Sequence, residues 1–146
     1  MAETQKPILI VEGLFYQELA DELRAGATLA LEAAGFSHEV IGVPGALEVP
    51  AVIAMAIQSK KYAGFVALGT VIRGQTSHYD YVAGMSIRAL QDLAIQKRAA
   101  IGTGILTVEN PDQAWARAAR DKGNKGARAA EACLSLIGAQ AKLSGK

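Results

Sequence analysis

The sequence is poor in the residues that carry covalent and metal chemistry. It holds one cysteine, Cys133, and two histidines, His38 and His78, among 146 residues. A single thiol forms no internal disulfide, and Cys133 sits in an alanine-rich helical pattern where a buried, inert thiol is expected. Three such ligands far apart in sequence offer no metal-binding spacing, and there is no Gly-x-Ser-x-Gly nucleophile element. Charge of one sign is also lacking. The formal net charge is +1, so no global field draws the chain to nucleic acid or to a membrane. Basic residues thicken from Arg117 to Lys146, which reads as a solvated helix face. Long apolar runs are absent, since Glu48 and Pro50 interrupt the best candidate for a membrane span. The opening M-A-E-T-Q-K-P lacks the layout of a secretory leader, and the expected compartment is the cytoplasm. What is abundant is small and apolar: 51% of residues are hydrophobic and 20% charged. That suits one domain with a proper core, residues 1–146, with 1–6 flexible and 144–146 a tail.

Strand-like and helix-like patterns alternate. Ile8–Val11 is a short β-branched run that reads as a buried strand, with Glu12, Gly13 and Leu14 as its turn. Tyr16–Ala34 has a helical period, with Leu19, Leu23, Ala27 and Leu31 on one face and Gly35 as the terminating glycine. His38–Val43 is a second strand, with His38 a surface residue at its start. Pro44-Gly45 turns into a helix over Leu47–Ser59, with Pro50 tolerable in its first turn. Gly64–Leu68 is the third strand. A helix from about Tyr79 to Lys97 carries Val82, Leu90, Leu93 and Ala94 on its apolar side, and Ile101–Leu106 is the fourth strand. Asn110 caps a helix that Pro111 opens and that runs to about Ala119. The connector R-D-K-G-N-K-G leads to a last helix ending near Leu143. Such alternation implies a parallel sheet covered on both faces. The expected fold is α/β, a three-layer flavodoxin-like sandwich with strand order 2-1-3-4. Its ligand site lies outside the carboxyl ends of strands 1 and 3. The loop holding Phe15, the loop holding Thr70–His78 and the turn at Gly45–Glu48 should therefore meet.

The loop read from Gly69 to Thr76, G-T-V-I-R-G-Q-T, is one residue from a Walker A pattern, with Gln75 where the lysine belongs. Without that lysine, nucleotide hydrolysis is not expected. The amides of Gly74–Thr76 suit a single phosphate, or simply a tight turn. His78 stands where a helix begins, either as a proton acceptor near neutral pH or as a cap. Asp80 is near enough to orient it, or serves the helix dipole. Phe15 follows the first strand with no obvious core partner, so it either stacks on a planar ligand or packs under the turn. Glu48 serves the helix dipole or bonds ligand hydroxyls. Arg117 and Lys125 are surface charges unless a phosphate pairs with them. A receiver-like signalling domain shares this topology, but Glu12 stands alone and Gly69 falls where the phospho-acceptor aspartate belongs.

Four segments in order, V-P-G-A-L-E-V-P, A-L-G-T-V-I-R-G-Q-T-S-H-Y-D, G-I-L-T-V-E-N-P-D-Q-A-W-A-R and K-G-N-K-G, resemble the lumazine synthase family of riboflavin biosynthesis. The resemblance runs from Ile8 to about Ala139. It implies a cofactor-free condensation of 5-amino-6-(D-ribitylamino)uracil with 3,4-dihydroxy-2-butanone 4-phosphate. The product is 6,7-dimethyl-8-ribityllumazine, and phosphate and water are released. By the same resemblance Phe15 stacks on the pyrimidine, and Ala46, Leu47 and Glu48 line the ribityl chain. Thr70, Val71 and Ile72 meet the pyrimidine edge through backbone. Gln75 and Thr76 hold the phosphate, and His78 transfers protons. A neighbouring subunit contributes Thr103 and Arg117, with Lys125 close by. Three positions depart from the family's usual residues: Tyr16, often asparagine; Leu47, commonly a second aromatic; and Thr103, frequently phenylalanine. The implied partners are the small-molecule substrates, copies of the same chain in a pentamer or a pair of pentamers, and riboflavin synthase in a functional association. The alternative within this resemblance is a non-catalytic binder of flavin or lumazine.

Overall fold

A computed structural model describes residues 5–145 of the chain. The expected flexible start and tail fall partly on residues 1–4 and 146, outside the described residues. Four parallel strands, β1 (Ile8–Gly13), β2 (His38–Val43), β3 (Gly64–Ile72) and β4 (Ile101–Val108), form one sheet in the order β2-β1-β3-β4. Five helices cover it: α1 (Gln17–Ala33), α2 (Val49–Ser59), α3 (His78–Gln96), α4 (Pro111–Ala118) and α5 (Lys125–Leu143). The expected order and three-layer architecture are both present.

The strands β1 and β3 are buried on both faces, as parallel strands under helices must be. On one face Ile8, Ile10, Val66 and Leu68 pack with Leu23 and Leu31 of α1 and Ala130 and Cys133 of α5. On the other, Leu9, Val11, Phe65 and Ala67 pack with Ile53 of α2 and Leu90 of α3. Burial pushes the Cys133 thiol up to about 11, so it stays protonated near neutral pH and serves as a small apolar filler. No helix among the described residues is long and apolar enough to cross a membrane.

Several local signals hold. Gly35 has φ +83, the left-handed conformation that ends α1. The Asn110 side chain accepts from the Gln113 amide at 2.9 Å, and Pro111 follows in the first turn of α4. Two boundaries are corrected. Glu12 and Gly13 are not a turn but the end of β1, where Glu12 is buried. Both Glu12 carboxylate oxygens accept from Arg24 Nη1 of α1 at 2.8 Å. That charge is tolerated because its partner arrives from the next element. The third strand does not stop at Leu68. It continues through the β-branched Thr70, Val71 and Ile72, which pair with Leu106, Thr107 and Val108 of an equally extended β4.

Gly13 lets the end of β1 approach the turn after β2. A Cβ there would stand 2.8 Å from the Ala46 nitrogen and the Gly45 carbonyl carbon. Both are backbone atoms, so the turn itself must move. Gly13→Ala should therefore lower stability by about 1–3 kcal/mol, read as a lower urea midpoint at unchanged slope. An unchanged midpoint would show that the contact carries no constraint.

Candidate active site

The carboxyl ends of β1, β2 and β3 open into a cavity of about 360 Å³. It lies where a sheet of this strand order binds its ligands. Its walls come from the three segments expected to meet: Phe15 and Tyr16 after β1, Pro44–Glu48 after β2, and Thr70–Ile72 with Gly74, Thr76 and His78 at the end of β3 and beyond. Tyr79 and Val82 complete it from α3.

Phe15 does not pack under its turn. It is 74% exposed, and its ring centroid lies 4.9 Å from that of Tyr16 at an interplanar angle of 73°. An apolar ring left standing at a cavity mouth is suited to stacking on a planar ligand. After β2, one turn of 3₁₀ helix, Ala46–Glu48, precedes α2. The expected helix start at Leu47 therefore resolves into two parts. Glu48 Oε1 accepts from the Gly45 amide at 2.9 Å, which fixes the turn. Leu47 is exposed beside it.

The glycine loop is shorter than the sequence pattern suggests. Gly69 lies inside β3, paired with Ile105, so the Walker-like spacing does not form a phosphate loop. Thr70, Val71 and Ile72 are strand residues that line the cavity. The Thr70 hydroxyl is buried without a hydrogen-bond partner among the described residues. The true loop is Arg73–Ser77. The Arg73 amide bonds the Val108 carbonyl at 2.9 Å, and the His78 amide bonds Thr76 Oγ1 at 3.2 Å. Between them the amides of Gly74, Gln75, Thr76 and Ser77 have no partner among the described residues. Four unpartnered N–H groups lead into the N-terminus of α3, the kind of donors that an anion uses.

His78 is the first residue of α3 and is exposed at the cavity. Ser77, not His78, occupies the capping position. The His78 ring makes no hydrogen bond among the described residues, which leaves it open to a ligand. Asp80 does not orient it. Its carboxylate faces Arg73 Nη2 at 3.5 Å.

Arg73 is the feature that the sequence pattern did not single out. Its Nε donates to Glu109 Oε2 at 2.7 Å, and its guanidinium lies 4.4 Å from the Tyr79 ring centroid. One side chain thus ties the end of β3 to the end of β4 and to the first turn of α3. The only visible signal was an arginine beside a glycine, because its partners Glu109 and Tyr79 have no local periodicity in common with it. Engaged on three sides, Arg73 would meet a bound anion in competition with Glu109 and Asp80.

Four expected residues do not line the cavity within one chain. Gln75 is exposed in the loop but outside the lining. Thr103 is half-buried in the middle of β4, opposite Ala67. Arg117 is exposed on α4, its Nη1 donating to the Gln113 carbonyl at 3.1 Å. Lys125 begins α5. Conversely, Tyr16, Pro44, Gly45, Tyr79 and Val82 line the cavity without having been singled out as ligand contacts.

Each exposed Arg73 contact is worth about 1 kcal/mol or less, but together they pin one short loop. Arg73→Lys keeps the charge and loses the planar fork. It should leave global stability within about 1 kcal/mol while speeding hydrogen exchange at the two bonded amides of this segment, Arg73 and His78. Unchanged exchange in that segment would refute the clamp.

The sequence model of the 6,7-dimethyl-8-ribityllumazine synthase family matches residues 5–141. The 6,7-dimethyl-8-ribityllumazine synthase 1 of Rhizobium meliloti (strain 1021) is 56% identical over 135 residues, covering 89% of this chain and 88% of that protein. The 6,7-dimethyl-8-ribityllumazine synthase of Bartonella tribocorum is 57% identical over 135 residues, covering 91% and 89%. That of Agrobacterium fabrum is 54% identical over 143 residues, covering 94% and 97%. With a family match and this degree of identity both spanning nearly its whole length, the chain belongs to the 6,7-dimethyl-8-ribityllumazine synthase family.

Proposed function

We propose that the cavity between Phe15, Glu48 and His78 is where this chain performs its family's reaction, and that a neighbouring subunit completes it. The reaction condenses 5-amino-6-(D-ribitylamino)uracil with 3,4-dihydroxy-2-butanone 4-phosphate to 6,7-dimethyl-8-ribityllumazine, releasing phosphate and water. The observation that carries the placement is the convergence in one cavity of an exposed ring, the turn that bears Glu48, a free-amide loop and an unpartnered histidine.

Phe15 stacks on the pyrimidine. The backbone of Thr70, Val71 and Ile72 meets its edge, and Ala46, Leu47 and Glu48 follow the ribityl chain. The second Glu48 oxygen remains for its hydroxyls, since the first is committed to Gly45. The amides around Gln75 and Thr76 receive the phosphate. The amine attacks the ketone and the carbinolamine loses water to give an imine; loss of phosphate leaves an enol that becomes a ketone, and the ribitylamino nitrogen attacks it and expels a second water to close the ring. These steps move several protons near neutral pH, which suits His78. Phosphate departure calls for positive charge. The loop's own Arg73 is shared with Glu109 and Asp80, and the family resemblance points to Arg117 of the adjacent copy, with Lys125 nearby, for the added charge. Thr103 arrives on the same neighbour. The remaining contribution is holding two reactants together, which by itself is worth several kcal/mol or more, on the order of 7–11 in the best cases.

The family forms oligomers, and this chain is placed in a pentamer or a pair of pentamers acting in the cytoplasm, in functional association with riboflavin synthase. Pro7 directly before β1 supports the smaller assembly, because it removes a donor that a strand exchanged between subunits would use. Light scattering that returned a closed icosahedral shell would overturn this.

Mixing the two substrates with the purified protein should raise lumazine absorbance well above the spontaneous rate. No product above that background would leave a binding protein rather than an enzyme. His78→Ala should lower kcat by about a hundredfold, the lower end for proton-transfer groups, with smaller changes in either KM. Arg117→Ala should raise KM for the phosphate substrate by about tenfold or more, as loss of a charged hydrogen bond predicts. An equal rise for both substrates would count against its assignment.

A further inference from the structure

Phe15 poses a physical problem. A ring that is 74% exposed has little to fix its orientation, yet a stacking platform is useful only if it already faces the ligand. Its only aromatic neighbour among the described residues is Tyr16, at 4.9 Å and 73°, an edge-to-face arrangement that favours one relative orientation of the two rings.

Tyr16 is held differently from Phe15. It is the residue before α1, with extended backbone and no side-chain capping bond. Its carbonyl accepts from the Ala20 amide at 2.9 Å, which fixes the backbone at this point. Its side chain is half-buried and packs against the core cluster that contains Leu19, Leu23 and Val108. The phenolic oxygen makes no hydrogen bond among the described residues. One ring is therefore anchored in the core while the next stands in the cavity and leans on it. Leu47, also in the cavity lining, is exposed and aliphatic, so the turn after β2 supplies no second ring.

From this we infer that Tyr16 is a positioning residue for pyrimidine binding: its core-anchored ring sets Phe15 in the stacking orientation before substrate arrives. The inference rests on the proposed stacking role of Phe15. It assigns Tyr16 no contact with the reacting atoms. Its ring is what matters, not its hydroxyl.

The test is a double-substitution cycle read on the KM of each substrate, with Tyr16→Leu as the main variant. Leucine keeps apolar bulk on the core and removes the aromatic edge. Tyr16→Leu should raise KM for the pyrimidine substrate by about three- to tenfold, as loss of an aromatic pair implies. KM for the phosphate substrate should stay within about twofold. In a Phe15→Ala background the same change should add less than about twofold, because the ring it positions is gone. Tyr16→Phe, which keeps the ring and the core packing, should restore the parent pyrimidine KM to within about twofold.

Additive losses in the cycle, or an equal rise in both KM values, would overturn the inference. So would a Tyr16→Phe variant as impaired as Tyr16→Leu, which would mean that the hydroxyl itself meets substrate. If Tyr16→Leu did not fold, Tyr16→Phe alone would still decide the matter of ring against hydroxyl, and Tyr16→Met would replace leucine in the cycle. The underlying reading fails separately. A Phe15→Ala variant with an unchanged pyrimidine KM removes the stacking role, whereas a weakened Phe15→Ala with a normal Tyr16→Leu removes only the positioning role.

Discussion

The pairing of β3 with β4 is the interaction on which the site depends. It runs in register from Phe65↔Ile101 to Ile72↔Val108. Because β4 is long enough to accept Thr70, Val71 and Ile72, those residues stay in the sheet and become a rigid cavity wall with a regular backbone edge. The chain is then released at Arg73, whose amide still bonds Val108 and whose side chain reaches Glu109 just past β4. Four free amides and His78 follow within five residues. A strand ending at Gly69 would scatter these groups over a longer, looser loop. Strand length therefore decides where these free amides and His78 sit.

Two further constraints act on the same cavity. The bare Cα of Gly13 brings the end of β1 against the Gly45–Ala46 backbone, which places the ring of Phe15 and the turn of Glu48 on a common rim. Glu12, one residue earlier, is buried and held by Arg24, so the strand end cannot relax toward solvent. Loops carry the chemistry, but each is pinned within a residue or two of a buried strand. That arrangement suits a reaction in which much of the catalysis is holding two substrates in place.

Much of this was legible in the chain itself. The alternation of runs and the caps at Gly35 and Asn110-Pro111 are local signals, and they led to the strand order and to the cavity's position. The position of Phe15 and Glu48 at the cavity was readable for the same reason: both stand in short turns whose place follows from topology. The errors arose where local pattern competed with tertiary pairing. Gly69 looked like the start of a glycine loop, but β4 held it in the sheet. Glu12 looked like a turn residue, since nothing near it in sequence announces Arg24. Arg73 was passed over because its carboxylate and aromatic partners come from two other elements. Thr103, Arg117 and Lys125 were expected on a neighbouring subunit from family resemblance alone, and within one chain none of them lines the cavity.

The sharing of the site is the claim most directly open to test. Two impaired variants, His78→Ala and Arg117→Ala, can be unfolded together, reassembled as mixed oligomers and assayed with the phosphate substrate well below the parent KM, where both are slow. If His78 and Arg117 serve one cavity from different subunits, some cavities in the mixture combine an intact histidine with an intact arginine. For random mixing in equal amounts about a quarter of the sites are restored, and lumazine formation should recover toward that fraction of the parent rate. If both residues serve a site from the same subunit, mixing restores nothing. Activity no higher than that of the two variants assembled separately would contradict the account.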